Sequence, residues 1–345
     1  MTKILVTGGS GFLGKAILDE LTGSDSPVKP SFIRVFDMRV DGVHPDSRVE
    51  FIRGDIRDFA AVTEACKGID LVIHSAAIVD WGSFSFEELY AVNVGGTENI
   101  LKACTDNHVG HLVFTSSLDA IFGGKPLINI NESLPYPEKH PTAYCASKFL
   151  SEKAVLGSNR HGFTTCALRP SDIYGEHDPY HIGSLIAMAR GGFYVRLGNG
   201  CARSQHVYVR NIAHAHLLAA RALLDHNRAV AGNAYLITDG EGMNFFKFFD
   251  RIVEGAGYRI RPRNLWLPRP LAMAIGAISE CFAFLIRPVK RYTPKMSRFA
   301  VTYTCTDFTF SSEKAKKDFG FTPKYSEEQA FRRTVDFYRM QKQAG

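Results

Sequence analysis

The sequence has no closely spaced pair of cysteines, and its first half has no dense block of basic residues. The 7 cysteines are scattered over 345 residues, so neither a zinc site nor a disulfide framework is predicted, and reduced thiols favour a cytoplasmic protein. The net charge of +6 is modest, so we expect no binding to nucleic acid. The first strand-like segment follows directly on the amino terminus, so we expect no cleavable secretory signal.

Long apolar stretches are also scarce. The most apolar segment, 271–286, is too short to cross a bilayer comfortably, and it contains Glu280. It is bordered by the basic residues Arg269, Arg287, Lys290 and Arg291. Three interpretations stay open: a buried helix over a ligand pocket, an interfacial helix that rests on anionic lipid, and a contact between two copies of the chain.

A glycine-rich turn near the amino terminus follows an apolar β-type run and opens a helical pattern. Gly8 permits the tight turn, Gly11 lets backbone N–H groups approach a pyrophosphate, and Gly14 lets helix and strand pack closely. The pyrophosphate would lie at the positive end of the helix. The turn therefore predicts a dinucleotide site, with Phe12 and Leu13 beside the ligand.

The second predicted strand, 32–36, ends in Asp37. Its separation from the glycine turn is roughly that at which an acidic residue binds the adenosine ribose. A carboxylate there would repel a 2′-phosphate, which favours NAD over NADP, although Arg39 leaves room for NADP. The alternative is a solvated aspartate in a turn.

Strand and helix patterns alternate at least four times in the first third of the chain. We therefore predict an α/β fold, a Rossmann-like doubly wound parallel sheet with a smaller C-terminal substrate-binding region. The carboxyl edge of such a sheet faces the ligand, which brings Asp55, Ile56 and Ala76 to the cofactor. Asp55 could reach the adenine or cap the following helix.

Two stretches interrupt this alternation with glycine, proline and aromatic residues. We assign residues 1–170 and 206–238 to the NAD-binding domain. Residues 171–205 and 239–345 are assigned to the substrate-binding region, because such excursions cover the substrate in this fold.

A reactive pair is predicted at Tyr144 and Lys148, which lie four residues apart and so share one face of a helix. A phenol, with a pKa of about 10, transfers protons poorly at neutral pH, but a neighbouring ammonium stabilises the phenolate and lowers that pKa. Ser117, at the end of a predicted strand, could hold a substrate oxygen. The alternative is an accidental pair on a helix surface.

No metal site is predicted. His74 is interpreted as a buried, hydrogen-bonded core residue. His214 and His216 lie two residues apart on a predicted helix, so they point in different directions, and no third ligand stands near them in the sequence.

With these residues in place, the sequence resembles the extended short-chain dehydrogenase/reductases, and within them the 3β-hydroxysteroid dehydrogenase family, over nearly its whole length. The resemblance is carried by segments 7–14, 93–97 and 115–117, by Tyr144 and Lys148, and by segments 168–175, 206–216 and 314–323. It implies hydride transfer between NAD and a hydroxyl-bearing carbon of a steroid, sterol or similarly apolar molecule. It also implies a homodimer.

The resemblance implies roles for single residues. Tyr144 would be the acid/base, Lys148 its modulator and a ribose ligand, and Ser117 the second hydrogen bond to the substrate oxygen. Asn93 would support a proton-relay water through its backbone, and Pro170 would face the nicotinamide ring. The predicted cofactor site comprises Gly8, Gly11, Phe12, Leu13, Asp37, Asp55, Ile56, Ala76, Tyr144, Lys148 and Pro170.

Three other functions stay open. The same site could reduce a long-chain β-keto acid with NADH, or epimerise a sugar nucleotide with NAD held in place. A protein of this fold could also bind NAD as a redox sensor without turnover. The complete set of Ser117, Tyr144 and Lys148 argues against the sensor, because a sensor has no need of a tuned phenol.

Overall fold

The computed structural model describes residues 2–40, 44–80, 84–286 and 296–344. The strands are β1 (Thr2–Thr7), β2 (Pro30–Asp37), β3 (Val49–Arg53), β4 (Leu71–His74), β5 (His111–Thr115), β6 (Leu127–Ile130), β7 (Thr164–Pro170), β8 (Asp172–Tyr174), β9 (Arg196–Leu197), β10 (His206–Tyr208), β11 (Asn233–Ile237), β12 (Trp266–Leu267) and β13 (Phe308–Phe310). The helices are α1 (Phe12–Thr22), α2 (Phe59–Ala65), α3 (Phe86–Leu89), α4 (Gly96–Asp106), α5 (Ala143–Gly157), α6 (Ile182–Arg190), α7 (Val209–Leu224), α8 (Phe245–Gly255), α9 (Arg269–Ile286), α10 (Arg298–Thr304), α11 (Glu313–Phe319) and α12 (Glu327–Ala344).

Seven strands form one parallel sheet in the order β11-β7-β5-β4-β1-β2-β3. The chain moves outward in one direction from β1 to β3 and in the other from β4 to β11. The carboxyl ends of β1 and β4 therefore border the crevice in which such sheets bind ligands. The predicted Rossmann-like doubly wound sheet is confirmed.

Both faces of the sheet are covered by helices. Along β1, Ile4 and Val6 pack in one buried cluster with residues of α1 and α7, whereas Leu5 packs in a second cluster with residues of α2, α4 and α5. Each fully buried aliphatic side chain of this kind contributes about 1.5–3 kcal/mol relative to exposure. This two-sided burial holds the carboxyl edge of the sheet in place.

The spacing of apolar residues from Phe86 to Thr105 predicts one helix, but the structure breaks this helix in the middle. A π-helical turn, Tyr90–Gly95, separates α3 from α4. An ideal Cβ on Gly96 would lie 2.5 Å from Ile56 Cδ1, so this glycine permits close packing that offsets its cost in a helix. The spacing of apolar residues in the sequence could not predict this π-helical turn, because the same residues also fit a regular α-helix.

Outside the main sheet, the described residues form three short parallel pairs, β10 with β8, β12 with β9, and β13 with β6. The last of these ties residues near the carboxyl terminus to the segment that follows β5. It also brings α10 against this segment, where Phe299 and Tyr303 contact the ring of Phe122. The division into two domains stays a prediction.

Helix α9 corresponds to the most apolar segment of the sequence. Ala272 is buried, and an ideal Cβ on Gly276 would lie 2.9 Å from Arg298 N, so this side of α9 packs tightly on α10. The opposite side carries a stripe of apolar residues that are 39% to 74% exposed: Leu271, Ile275, Ile278, Phe282 and Leu285.

No described residue of α9 lines the main cavity, since α10 lies between them. The interpretation of this segment as a buried helix over the ligand pocket is therefore wrong. The predicted basic border at Arg287, Lys290 and Arg291 lies outside the described residues. Within the described part of the chain, no helix has both the length and the apolar character needed to cross a bilayer.

Candidate active site

A cavity of about 770 Å³ runs along the carboxyl ends of the central strands. Every residue that we predicted for the site, except Asn93, lines it. The lining also includes residues that the sequence did not single out, among them Asp119, Asp172, His181, Phe299 and Tyr303. The structure thus brings residues from both parts of the chain to one site.

The glycine turn lies at one end of this cavity. Gly8 has a φ of +72°, and an ideal Cβ on it would lie 2.7 Å from Ala76 Cα, so only glycine fits. Gly11 precedes α1, and because this capping residue has no side chain, the first N–H groups of α1 donate no hydrogen bond to a side-chain cap. Unpaired N–H groups at a helix start bind phosphate oxygens well, so this turn fits a pyrophosphate.

Asp37 ends β2 beside the glycine turn. Its carboxylate accepts hydrogen bonds from Ser10 N and Arg39 N, both at 3.0 Å. Ser10 Oγ in turn donates to Arg39 O at 2.7 Å. The carboxylate is therefore fixed at the rim of the cavity, and its role as a ribose ligand stays a prediction.

We expect Asp37→Ser to weaken NADH binding and to strengthen NADPH binding, so that the ratio of the two dissociation constants changes by about a hundredfold. Serine keeps a hydrogen-bond acceptor but removes the charge that repels a 2′-phosphate, and Arg39 stays in place. Fluorescence titration with each nucleotide measures the ratio. Glu50→Gln, which removes an acidic charge from the neighbouring β3, is the matched control. An unchanged ratio in Asp37→Ser would contradict the assignment.

Asp55 does not cap the next helix, so that alternative is wrong. Helix α2 is capped by Asp58, whose side chain accepts from Ala60 N and Ala61 N. Asp55 instead pairs with Arg57, whose Nε donates to Asp55 Oδ2 at 2.9 Å, and this partner lowers the pKa of the Asp55 carboxyl. The role of Asp55 toward adenine stays a prediction.

The opposite end of the predicted cofactor site lies near Pro170, the last residue of β7. Two serines that line the cavity here, Ser116 and Ser171, are buried, and their hydroxyl groups have no hydrogen-bond partner among the described residues. Buried hydroxyls are normally paired, so these two groups suit a polar ligand. With the glycine turn at the other end of the cavity, these two hydroxyls fit a dinucleotide whose second ring bears a carboxamide group.

Tyr144 and Lys148 lie on α5, which begins after Thr142. The hydroxyl of Thr142 caps the helix by accepting from Cys145 N at 3.1 Å. Lys148 Nζ donates to Thr115 O at 2.8 Å, at the end of β5. Burial lowers the pKa of Lys148 to about 8, against the opposing effect of nearby carboxylates. The spacing of four residues does place both side chains in the cavity.

The pKa of Tyr144 departs from what we predicted. Burial, and after it the carboxyl of Asp119, raises the pKa of Tyr144 well above its usual value, while a hydrogen bond with Ser117 acts in the opposite direction. The predicted lowering by Lys148 is therefore not found in this structure. The physical reason is that desolvation disfavours the phenolate, while Lys148 is held by a backbone carbonyl.

Ser117 shares two hydrogen bonds with Asp119. Ser117 Oγ donates to Asp119 Oδ2 at 2.7 Å, and Asp119 N donates to Ser117 Oγ at 3.1 Å. Burial raises the pKa of the Asp119 carboxyl to about 6. Sequence reasoning missed Asp119, although an acidic residue two positions after the predicted serine was a usable signal.

Asn93 does not line the cavity. Its side chain accepts from Ile78 N at 2.8 Å and donates to Ile78 O at 3.0 Å and to Ser147 Oγ at 3.0 Å. Its carbonyl oxygen accepts from Ser151 Oγ at 2.7 Å. Asn93 thus holds the segment after β4 against α5, and its part in a proton relay stays a prediction.

Polar side chains also line the cavity beyond Pro170, around Asp172 and Tyr303. Tyr303 OH donates to Asp172 Oδ1 at 2.7 Å, and His206 Nδ1 lies 3.7 Å from Asp172 Oδ2. Burial raises the pKa of the Asp172 carboxyl. No sequence signal connects Tyr303 with this site, because only the packing of α10 brings it there.

Two of the histidines considered above lie in the core. His74 is buried and hydrogen-bonded to Thr7 Oγ1 at 2.7 Å and Thr97 Oγ1 at 3.0 Å, as interpreted from the sequence. Burial lowers its pKa to about 3, so the ring is neutral. His216 lies between Thr115 Oγ1 and Ile212 O, each at 2.8 Å. Both side chains therefore hydrogen-bond to a threonine at the carboxyl end of a central strand, Thr7 of β1 and Thr115 of β5.

The sheet order, the glycine turn and the cavity shared by Ser117, Tyr144 and Lys148 define an extended short-chain dehydrogenase/reductase. Solved structures of this fold are similar over the whole chain. An epimerase from Methanothermobacter thermautotrophicus matches with a TM-score of 0.78 and 18% identity, covering 99% of this chain and 94% of that one. The dTDP-glucose 4,6-dehydratase DesIV from Streptomyces venezuelae, with NAD and TYD bound, matches with a TM-score of 0.78 and 21% identity over 99% and 98%. At these identities the likeness shows the fold alone.

The sequence profile of the 3-beta hydroxysteroid dehydrogenase/isomerase family matches residues 5–269. The chain belongs to this family, and so to the NAD-dependent oxidoreductases that act on CH–OH groups. Short-chain dehydrogenase/reductase family 42E member 1 of Mus musculus is 34% identical over 93% of this chain and 84% of its own length. The sterol-4-alpha-carboxylate 3-dehydrogenase, decarboxylating, of the same species is 33% identical over 99% and 92%.

The 3beta-hydroxysteroid-dehydrogenase/decarboxylase isoform 2 of Arabidopsis thaliana is 33% identical over 97% of this chain. The chain spans 61% of the length of that relative.

Proposed function

We propose that this protein oxidises the 3β-hydroxyl of a steroid or a sterol-like apolar molecule to a ketone, or catalyses the reverse reaction, with NAD as its cofactor. The observation that carries the proposal is the convergence of Ser117, Tyr144 and Lys148 on one cavity that continues along apolar side chains. These side chains include Leu118 and Phe299. The names of the relatives support a steroid or sterol substrate.

The cofactor would be held by the glycine turn at its pyrophosphate and by Asp37 at its ribose. The unpaired hydroxyls of Ser116 and Ser171 suit the carboxamide of the nicotinamide ring. When bound, NAD supplies the hydride acceptor and a positively charged ring beside the reacting carbon.

Tyr144 would exchange the hydroxyl proton of the substrate. Because burial raises the pKa of this phenol, the proposed mechanism requires positive charge close to the phenolate, which Lys148 and the ring of bound NAD would supply together. Ser117 would donate a hydrogen bond to the substrate oxygen as its negative charge develops. The same groups serve reduction by the reverse path.

The test is the absorbance of NADH with purified protein, NAD and three separate substrates: cholestanol, a long-chain β-hydroxy acid, and UDP-galactose. NADH formed with cholestanol supports the proposal. NADH formed only with the hydroxy acid leaves the catalytic groups intact but overturns the sterol substrate. Conversion of UDP-galactose to UDP-glucose without net NADH would identify an epimerase. NADH binding without turnover of any of the three would favour the redox sensor.

We further propose that the exposed stripe of α9 rests on an anionic lipid surface, from which an apolar substrate could enter without crossing water. The stripe consists of large apolar side chains at helical spacing, and it begins beside the exposed Arg269. In the sequence it is followed by further basic residues. An apolar helix face with basic flanks is typical of interfacial helices.

We expect Ile278→Asp and Leu285→Asp, at positions 70% and 74% exposed, each to weaken binding to vesicles of phosphatidylcholine and phosphatidylserine by about tenfold or more. Sedimentation with the vesicles measures the bound fraction. Phe193→Asp, at a position 63% exposed outside α9, is the control and should bind as the wild type does. If the two α9 variants keep lipid binding but dissociate a dimer in analytical ultracentrifugation, the stripe is the homodimer contact instead.

A further inference from the structure

The cavity holds one carboxyl group beside the predicted donor to the substrate oxygen, and the mechanism above does not use it. Asp119 lies in the short helical turn Leu118–Ile121 and is 8% exposed. Its carboxylate accepts a hydrogen bond from Ser117 Oγ, and its backbone N–H donates a hydrogen bond to the same oxygen. The protonation of this carboxyl therefore decides what Ser117 can offer to a substrate.

A serine hydroxyl has one proton and two lone pairs. When Asp119 is ionised, the proton of Ser117 points to Asp119 Oδ2 and one lone pair accepts Asp119 N–H. Only one lone pair of Ser117 Oγ then remains, and Tyr144 or a substrate hydroxyl can donate to it. When Asp119 is protonated, its own O–H donates to Ser117 Oγ, both lone pairs are occupied, and the proton of Ser117 is free to point at the substrate oxygen.

We propose that Asp119 is a positioning residue, which allows Ser117 to donate a hydrogen bond to the substrate oxygen only while the Asp119 carboxyl is protonated. The inference rests on the proposed function, since it concerns the same site. Ser117 must donate in both directions of the reaction, because oxidation and reduction pass through one transition state. Ionised Asp119 therefore slows both directions.

The surroundings of Asp119 allow both of its protonation states near neutral pH. Burial raises the pKa of its carboxyl to about 6, and Asp172 acts in the same direction. The hydrogen bonds from Ser117 and from Cys145 Sγ, the latter at 3.6 Å, and the charge of Lys148 oppose this shift. The phenols of Tyr144 and Tyr303 also face the carboxyl.

The first experiment needs no substrate. Because the folded pKa of Asp119 is raised above its unfolded value of about 3.9, the stability conferred by its protonated form is lost as the pH rises to about 6. Asp119→Asn should therefore gain stability relative to the wild type over this pH range, as urea unfolding measures. Burial favours the neutral isostere, so a variant that does not fold would contradict the proposal.

Ser117→Ala then tests the coupling. Without the Ser117 proton, the ionised form of Asp119 loses a donor. The gain in stability of Asp119→Asn levels off at the folded pKa of Asp119, and that pH should therefore rise by about one unit when both compared proteins also carry Ser117→Ala. The transition of Asp239, a buried carboxyl outside the cavity whose pKa is raised to about 7, is probed by Asp239→Asn and should not move. An unmoved Asp119 transition would overturn the proposal.

The second experiment uses cholestanol with NAD and cholestanone with NADH. The ratio of kcat/KM in Asp119→Asn to that in the wild type should be near one at pH 5 and about tenfold at pH 8, for both substrates. The side-chain amide of the Asp119→Asn variant can donate to Ser117 Oγ at every pH, whereas the wild-type carboxylate cannot. A purely structural role would change the ratio equally at both pH values.

The gain at pH 8 should vanish in a Ser117→Ala background. If it persists there, Asp119 acts on Tyr144 by its charge alone, and the role of Ser117 is overturned. If neither sterol turns over, the proposed function fails, while the shift of the Asp119 transition in the unfolding experiment still decides the coupling.

Discussion

Tyr144→Phe is expected to lower kcat with cholestanol by about a thousandfold, or roughly 4 kcal/mol of transition-state stabilisation, with NADH binding changed by less than about threefold. The substitution removes one oxygen atom, the group that we assign to proton transfer. It leaves an aromatic ring in the buried position on α5, so the cavity keeps its shape. Steady-state rates and fluorescence titration with NADH measure the two effects separately.

Tyr90→Phe is the matched control, because Tyr90 lies on the π-helical turn, is 41% exposed and does not line the cavity. Its rate should match the wild type. A Tyr144→Phe protein that turned over at a comparable rate would overturn the assignment of the acid/base, and with it the pairing of Tyr144 and Lys148.

Gly14→Ala is expected to abolish cofactor binding and to destabilise the protein by about 3 kcal/mol. An ideal Cβ at this position would lie 2.0 Å from Gly8 O and 2.6 Å from Gly9 Cα, so the backbone of the turn has to move. That movement displaces the N–H groups of the turn from the positions that fit a pyrophosphate. Urea unfolding and NADH titration measure the two effects.

Gly157→Ala is the control, because among the described residues no atom outside its own stretch of α5 and its chain neighbours lies within 4 Å of its ideal Cβ. It should leave stability and NADH binding unchanged or slightly improve stability. If Gly14→Ala bound NADH as tightly as this control, the glycine turn would not be the pyrophosphate site.

The features that could be predicted from sequence are those in which local pattern and global fold agree. The glycine turn, the apolar strands and the pair on α5 each depend on residues close together in the chain, and a parallel sheet brings their ends to one edge. The expected position of Asp37 at the rim of the cavity follows from the same rule.

The features that sequence did not reveal depend on packing between distant segments. Tyr303 reaches Asp172 only because β13 pairs with β6 and places α10 over the cavity. The raised pKa of Tyr144 depends on burial and on Asp119, neither of which the spacing of Tyr144 and Lys148 contains. The exposed side of α9 could not be foreseen, since a run of apolar residues does not show which side is covered.

Because β13 pairs with β6, the cavity is completed only after the last part of the chain has been synthesised. All seven strands of the central sheet, and with them the glycine turn and α5, emerge before α10 and β13 are made. The contact that completes the cavity joins segments far apart in the chain and so forms late. The residues of the proposed cofactor site are therefore synthesised before the last segments, which close the substrate cavity.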